Sequence, residues 1–171
     1  VIRVAFDDLD VSNDGYGDML YRGEPFDGIA TDVDSFGKCL LLMCYRWGKL
    51  NGPSREWDHD GRLMREKSSY MGGSHGPLRE WDERGRLRLE EIGEHRVLVW
   101  RKRWDESGQL IEDQSHLTDS GAEALLRDRA TWRILLLELE GDELVERAWP
   151  YDHLLPEEVR ARLARETPLR P

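Results

Sequence analysis

The chain has little of what would assign it by covalent or membrane chemistry. It carries 2 cysteines in 171 residues, too few for a framework of disulfide staples. Cys39 and Cys44 lie an odd number of positions apart, on opposite faces of any strand that holds both, and a bridge between them is disfavoured. Long apolar runs are missing as well. The longest, Cys39 to Tyr45, is far short of the roughly 20 residues that cross a bilayer. The N-terminus does not open on a basic segment followed by an apolar one, so the expectation is a cytoplasmic protein without membrane insertion.

Basic excess is also lacking. Lys+Arg 25 against Asp+Glu 35 leaves a formal charge of -10, which argues against direct contact with nucleic acid and for a basic protein partner or simple solubility. No Gly-x-Ser-x-Gly elbow, P-loop or Cys/His nucleophile grouping occurs. His59, His75, His95, His116 and His153 stand in unrelated turns and loops without metal-ligand spacing, and read as solvated surface histidines. Asp10-x-Ser12-x-Asp14-Gly15 imitates the first half of a calcium loop, but Tyr21 stands where the bidentate glutamate belongs. The chain is therefore expected to be no enzyme, with no catalytic residue, no cofactor and no metal.

What the sequence does hold is a repeat. Gly52-Pro53-Ser54-Arg55-Glu56-Trp57-Asp58-His59-Asp60-Gly61-Arg62-Leu63 and Gly76-Pro77-Leu78-Arg79-Glu80-Trp81-Asp82-Glu83-Arg84-Gly85-Arg86-Leu87 share nine of twelve residues at an offset of 24. A third copy runs Arg101 to Leu110, and a degenerate one from Gly28 to Cys39 puts Val33 in the Trp place. All four keep Asp-x-x-Gly, at Asp34/Gly37, Asp58/Gly61, Asp82/Gly85 and Asp105/Gly108. An aspartate that accepts bonds from the backbone ahead of it, followed by a glycine free to take positive φ, closes a type I turn. Each unit is then two strands, and Trp57/Leu63, Trp81/Leu87 and Trp104/Leu110 are placed to meet across the hairpin. Tyr21-Arg22-Gly23, Tyr45-Arg46-Trp47-Gly48 and Tyr70-Met71-Gly72-Gly73, each followed by a further Gly, mark the opposite reversals.

Cys39 to Tyr45 is apolar on both faces and needs a second cover, either from the ends of the chain or from a partner. The Arg55/Glu56 and Arg79/Glu80 columns read as cross-strand ion pairs on a solvated face. After Leu117 the pattern changes. Ser120-Gly121-Ala122-Glu123 has capping-box spacing ahead of a short helix to about Ala130. Trp132 to Leu139, the Glu140-Gly141-Asp142 turn and Glu143 to Trp149 read as one more hairpin, and Pro156 opens a helix ended by Thr167-Pro168.

The Tyr-x-Gly, Gly-Pro-x-x-Glu-Trp and Asp-x-x-Gly-x-Leu elements between Leu20 and Asp113 resemble the MORN-variant repeat of the YwqK family. Proteins of that family are described in bacteria as antitoxin or immunity components. The repeats imply a mainly β fold, an elongated antiparallel β-meander of about four hairpin repeats of 24 residues, and the elements after Leu117, which have no counterpart in that family, add a small α+β cap. Three regions follow: an acidic strand and loop over 1–19, the array over 20–116, and a helix-hairpin-helix cap over 117–171 packed on the array. The implied role is an immunity protein that binds a basic toxin domain. A MORN-type scaffold is the alternative, and a ligand binder or enzyme with a cleft between sheet and cap a lesser one. Residues 1–20 hold Asp7, Asp8, Asp10, Asp14 and Asp18 against Arg3 alone, and these aspartates, with Tyr21 and Trp47 as aromatic anchors, are the candidate partner-binding residues.

Overall fold

The computed structural model describes residues 1–95, 97–139 and 152–165. Its strands are β1 (Ile2–Ala5), β2 (Asp10–Val11), β3 (Met19–Tyr21), β4 (Glu24–Pro25), β5 (Gly28–Val33) and β6 (Cys39–Arg46), then β7 (Lys49–Trp57), β8 (Leu63–Tyr70), β9 (Gly73–Trp81), β10 (Leu87–Glu94), β11 (Val97–Trp104) and β12 (Leu110–Ser115). Strands β5 to β12 pair with their sequence neighbours as an antiparallel meander. β1 joins β5 in parallel, which gives a nine-stranded sheet, and β2, β3 and β4 form a separate small one. The mainly β meander matches the expected fold class, with one parallel pair added at its edge.

The turn chemistry accounts for the meander. The amides of Gly37, Gly61, Gly85 and Gly108 donate to the carbonyls of Asp34, Asp58, Asp82 and Asp105 at 2.8–3.0 Å. Each aspartate also accepts backbone bonds on its Oδ1, from Phe36 and Lys38, from Arg62, from Arg84 and Arg86, and from Ser107 and Gln109. At the other end of the strands, Arg22-Gly23, Trp47-Gly48 and Met71-Gly72 take positive φ at both positions, the backbone of a two-residue type I′ reversal. The further glycines, Gly52 and Gly76, sit within β7 and β9 rather than in loops. Their φ values of 102 and 104 lie where the register shifts, so they form bulges.

Trp57 pairs with Leu63, Trp81 with Leu87 and Trp104 with Leu110, as the repeat predicts. These side chains are not fully buried, because the middle of the sheet is a single layer. Among the described residues, the buried apolar side chains fall into two clusters at opposite ends. In the first, Val4, Phe26, Ala30 and Tyr45 pack with Met19, Tyr21 and Met43, so the N-terminal segment covers β5 and β6. In the second, Ile92 and Val99 pack with Leu117, Ala122, Leu125 and Val159.

The two covers lie on opposite faces. Ala30, Met43, Ser54, Lys67, Leu78 and Glu91 form one continuous rung of directly opposed residues, so their side chains share a face. Ile92, next to Glu91, points the other way. The chain's own beginning therefore covers the Met43 and Tyr45 face of β6, while Leu40, Leu42 and Cys44 on its other face belong to neither cluster.

The C-terminal region departs from the sequence reading. Helix α1 runs unbroken from Asp119 to Leu139, so the strand expected from Trp132 to Leu139 is helical. A short apolar run such as Ile134 to Leu137 suits a buried strand or a helix equally, and from Ala122 to Leu139 no Gly or Pro interrupts a stretch rich in Ala, Leu, Arg and Glu. The N-cap is Thr118, whose hydroxyl accepts from the Gly121 amide at 3.0 Å, rather than the Ser120 box. The expected turn and second strand over 140–149 lie outside the described residues, as does the Thr167-Pro168 stop. Helix α2 (Glu157–Arg165) begins as expected, with the Pro156 carbonyl accepting from Val159 and Arg160. Among the described residues no helix is long and apolar enough to cross a membrane.

Candidate functional site

The five aspartates of the beginning are gathered into one lobe, but in different states. Asp7 and Asp8 sit on a 3₁₀ turn, Phe6–Asp8, and Asp10 on β2; all three are exposed and have no ion-pair partner among the described residues. Asp14 is turned inward on its own loop, accepting from Ser12 Oγ at 2.6 Å and from the Tyr16 amide at 2.9 Å, and these bonds hold its carboxyl below the usual range. Asp18 is engaged by Lys49 and anchors the lobe to β7. The half calcium loop is thus closed by its own hydrogen bonds, and no group of three or more His, Cys, Asp or Glu among the described residues is arranged to hold a metal. Tyr16 stands beside this acidic surface with 81% of its area exposed, an aromatic the sequence reading passed over.

Tyr21 and Trp47 separate. The Tyr21 ring meets Phe26 edge-on at 6.0 Å and packs against the N-terminal core, so it is a structural residue with its outer side under Arg22. Trp47 is 44% exposed and stacks under the Arg46 guanidinium at 4.5 Å. It occupies the first position of a two-residue turn at φ 52, a conformation that suits glycine or asparagine. Its amide donates to Asp27, and Gly48 beside it exchanges backbone bonds with Phe26 and Met19 at 3.0 and 2.8 Å. The Trp47 turn and the acidic lobe are therefore one continuous surface.

A second cluster went unseen in the sequence. Glu94, fully buried, receives the guanidinium of Arg129 on both carboxylate oxygens, Nε and Nη2 each at 2.6 Å. This two-pronged pair pins α1 to the end of β10. Next to it the His75 and His95 rings meet at 5.0 Å, with Tyr70 5.6 Å from His75. His75 is buried, which corrects the reading of all five histidines as surface groups. Burial pushes the His95 imidazole below its ordinary pKa. The legible signal was the hairpin itself: β9 and β10 run back from the Asp82 turn and set His75 opposite Glu94. His116 is also engaged, 2.6 Å from Glu112.

The charged columns form ladders. Arg55, Glu66, Arg79, Glu90, Lys102 and Asp113 oppose one another in that order across β7 to β12, with alternating sign throughout. Ion pairs join Arg55 to Glu66 at 2.8 Å, Arg79 to Glu90 at 2.7 Å and Lys102 to Asp113 at 3.8 Å. On the other face Arg65 lies between Glu56 and Glu80 at 3.7 and 3.3 Å. The ladder alternates in sign along its length, and Asp7, Asp8 and Asp10 have no such opposed partner among the described residues.

No family model, no curated protein and no solved structure matches this chain. The likeness to the MORN-variant repeat thus rests on the residues and spacing quoted above.

Proposed function

We propose that the chain is a non-catalytic protein-binding module of the antitoxin or immunity type, which occludes a basic toxin domain with its N-terminal acidic lobe. One observation carries this reading. The charges of the β7 to β12 ladder alternate in sign from strand to strand, whereas Asp7, Asp8 and Asp10 are exposed and have no ion-pair partner among the described residues, and the N-terminal lobe also carries the exposed Tyr16 and adjoins the Trp47 turn. Unmatched carboxylates around aromatic anchors steer and hold a cationic surface, and where that surface normally grips nucleic acid they stand in for phosphates. The repeat resemblance adds support, since YwqK-like chains are described in that role.

The test is co-expression with the toxin domain encoded beside this chain, scored as survival, together with association kinetics at rising salt. Protection and an on-rate that falls about tenfold or more with screening are expected. Changing Asp7, Asp8, Asp10 and Asp14 to Lys abolishes both without unfolding the array. Unchanged affinity in that variant refutes the assignment. Absence of protection, with other proteins co-purifying, would favour the scaffold role.

A further inference from the structure

The sheet ends on an unpaired strand whose side chains specify what is missing beside it. Among the described residues β12 pairs with β11 on one side only and is the last strand in the order. It lies about 38 Å from the opposite edge, counting eight spacings of roughly 4.8 Å, so it is separate from the acidic lobe. An edge strand presents alternate backbone N–H and C=O groups with no partner. β12 adds Leu110 and Ile111, two consecutive apolar side chains 44% and 56% exposed.

The rungs that cross the sheet give the chemistry of the absent neighbour. On the face that carries the charged ladder, strands β7, β9 and β11 each offer a basic residue followed two positions later by tryptophan: Arg55 and Trp57, Arg79 and Trp81, Lys102 and Trp104. Between them β8 and β10 supply the acids Glu66 and Glu90. β12 continues the alternation with Asp113, and Ile111 stands two positions before it. Glu66 illustrates what an interior acid receives, with Arg55 at 2.8 Å on one side and Arg79 at 3.9 Å on the other. Among the described residues Asp113 has Lys102 alone, at 3.8 Å, and its outer flank faces no strand.

We infer that β12 is a docking edge for an extended segment of another protein, which adds antiparallel as a tenth strand and carries a basic residue followed two positions later by an aromatic one. The basic residue completes the Asp113 rung, and the aromatic covers Ile111. Main-chain bonds supply the attachment and the two side chains supply the choice of sequence and register. A second copy of this chain is a poor occupant. β12 set antiparallel against itself brings Glu112 and Asp113 into opposition with like carboxylates, an arrangement that destabilises a strand pair.

The probe is the peptide Gly-Thr-Val-Arg-Thr-Trp-Thr-Gly with a fluorescent label, titrated with the full chain and followed by anisotropy. The same peptide with Glu in place of Arg is the control. Saturable binding of the Arg peptide is expected, and weaker binding of the Glu peptide by about tenfold or more. Asp113→Lys should invert that preference, and because Asp113 is a surface residue of an edge strand, a circular dichroism spectrum can verify that the variant is folded. Asp7→Lys with Asp8→Lys should leave the affinity within about twofold. The inference is overturned by no binding, by equal affinity for the two peptides, by loss that follows Asp7 and Asp8 instead of Asp113, or by sedimentation showing that the chain dimerises through this edge.

Discussion

Asp34, Asp58, Asp82 and Asp105 hold their turns by accepting backbone amides, and their carboxyl pKa values are lowered, chiefly by those amide bonds at Asp34 and Asp82 and chiefly by side-chain bonds from Arg62 and Ser107 at Asp58 and Asp105. A depressed folded pKa means that the unfolded chain takes up protons first as pH falls. The stabilisation is therefore complete above the ordinary value of 3.8 and is lost as pH drops through the lowered ones. A thermal midpoint that falls below about pH 4, with a shallower fall in Asp82→Asn, is the expected result. The buried Glu94 and Arg129 pair works differently, since removing one partner strands the other charge. Arg129→Met should cost about 3–5 kcal/mol in urea unfolding, while Arg129→Met with Glu94→Leu recovers much of it. Trp47 pays about 1–2 kcal/mol for its left-handed backbone. Trp47→Gly should therefore leave the unfolding midpoint unchanged or raised while weakening binding to the proposed toxin partner by about tenfold or more. A clear loss of stability instead would make Trp47 a packing residue.

At the level of the element, the repeated reversals are alike in backbone but not in surroundings. Gly48 and Gly72 take φ of 74 and 81, yet a Cβ on Gly48 would lie 2.8 Å from the Met19 carbonyl oxygen, whereas one on Gly72 meets nothing closer than 4.0 Å. Both replacements by Ala strain the backbone, and only Gly48→Ala also pushes the N-terminal lobe off β7. A larger midpoint loss for Gly48→Ala than for Gly72→Ala, read by thermal unfolding, is expected. The His95 turn gives the C-terminal end its own pH response. Its folded pKa is depressed by burial, so stability is fully present above the ordinary 6.5 and declines as pH falls through the lowered value. Replacing His95 by Asn, which accepts positive φ, should remove that mildly acidic decline.

Over the whole molecule, two small cores are joined by a single-layer bridge. β7, β8 and β9 contribute no fully buried apolar side chain, and their cross-strand ion pairs are worth at most about 1 kcal/mol each. Hydrogen exchange should accordingly find β5, β6, β10 and β11 more protected than β8, and the protection of β8 should fall further at high salt. Uniform protection across the nine strands would mean that the bridge is not the weak part. Asp-x-x-Gly at a spacing of 24, paired Trp and Leu, and the tight glycine reversals were sufficient to specify hairpins in succession, because each rests on contacts within a few residues along the chain. Which face each end covers, the union of Glu94 with Arg129 and the burial of His75 were decided only by tertiary packing. Those depend on side chains brought together from distant positions, and a local pattern of apolar and polar residues carries no record of such meetings.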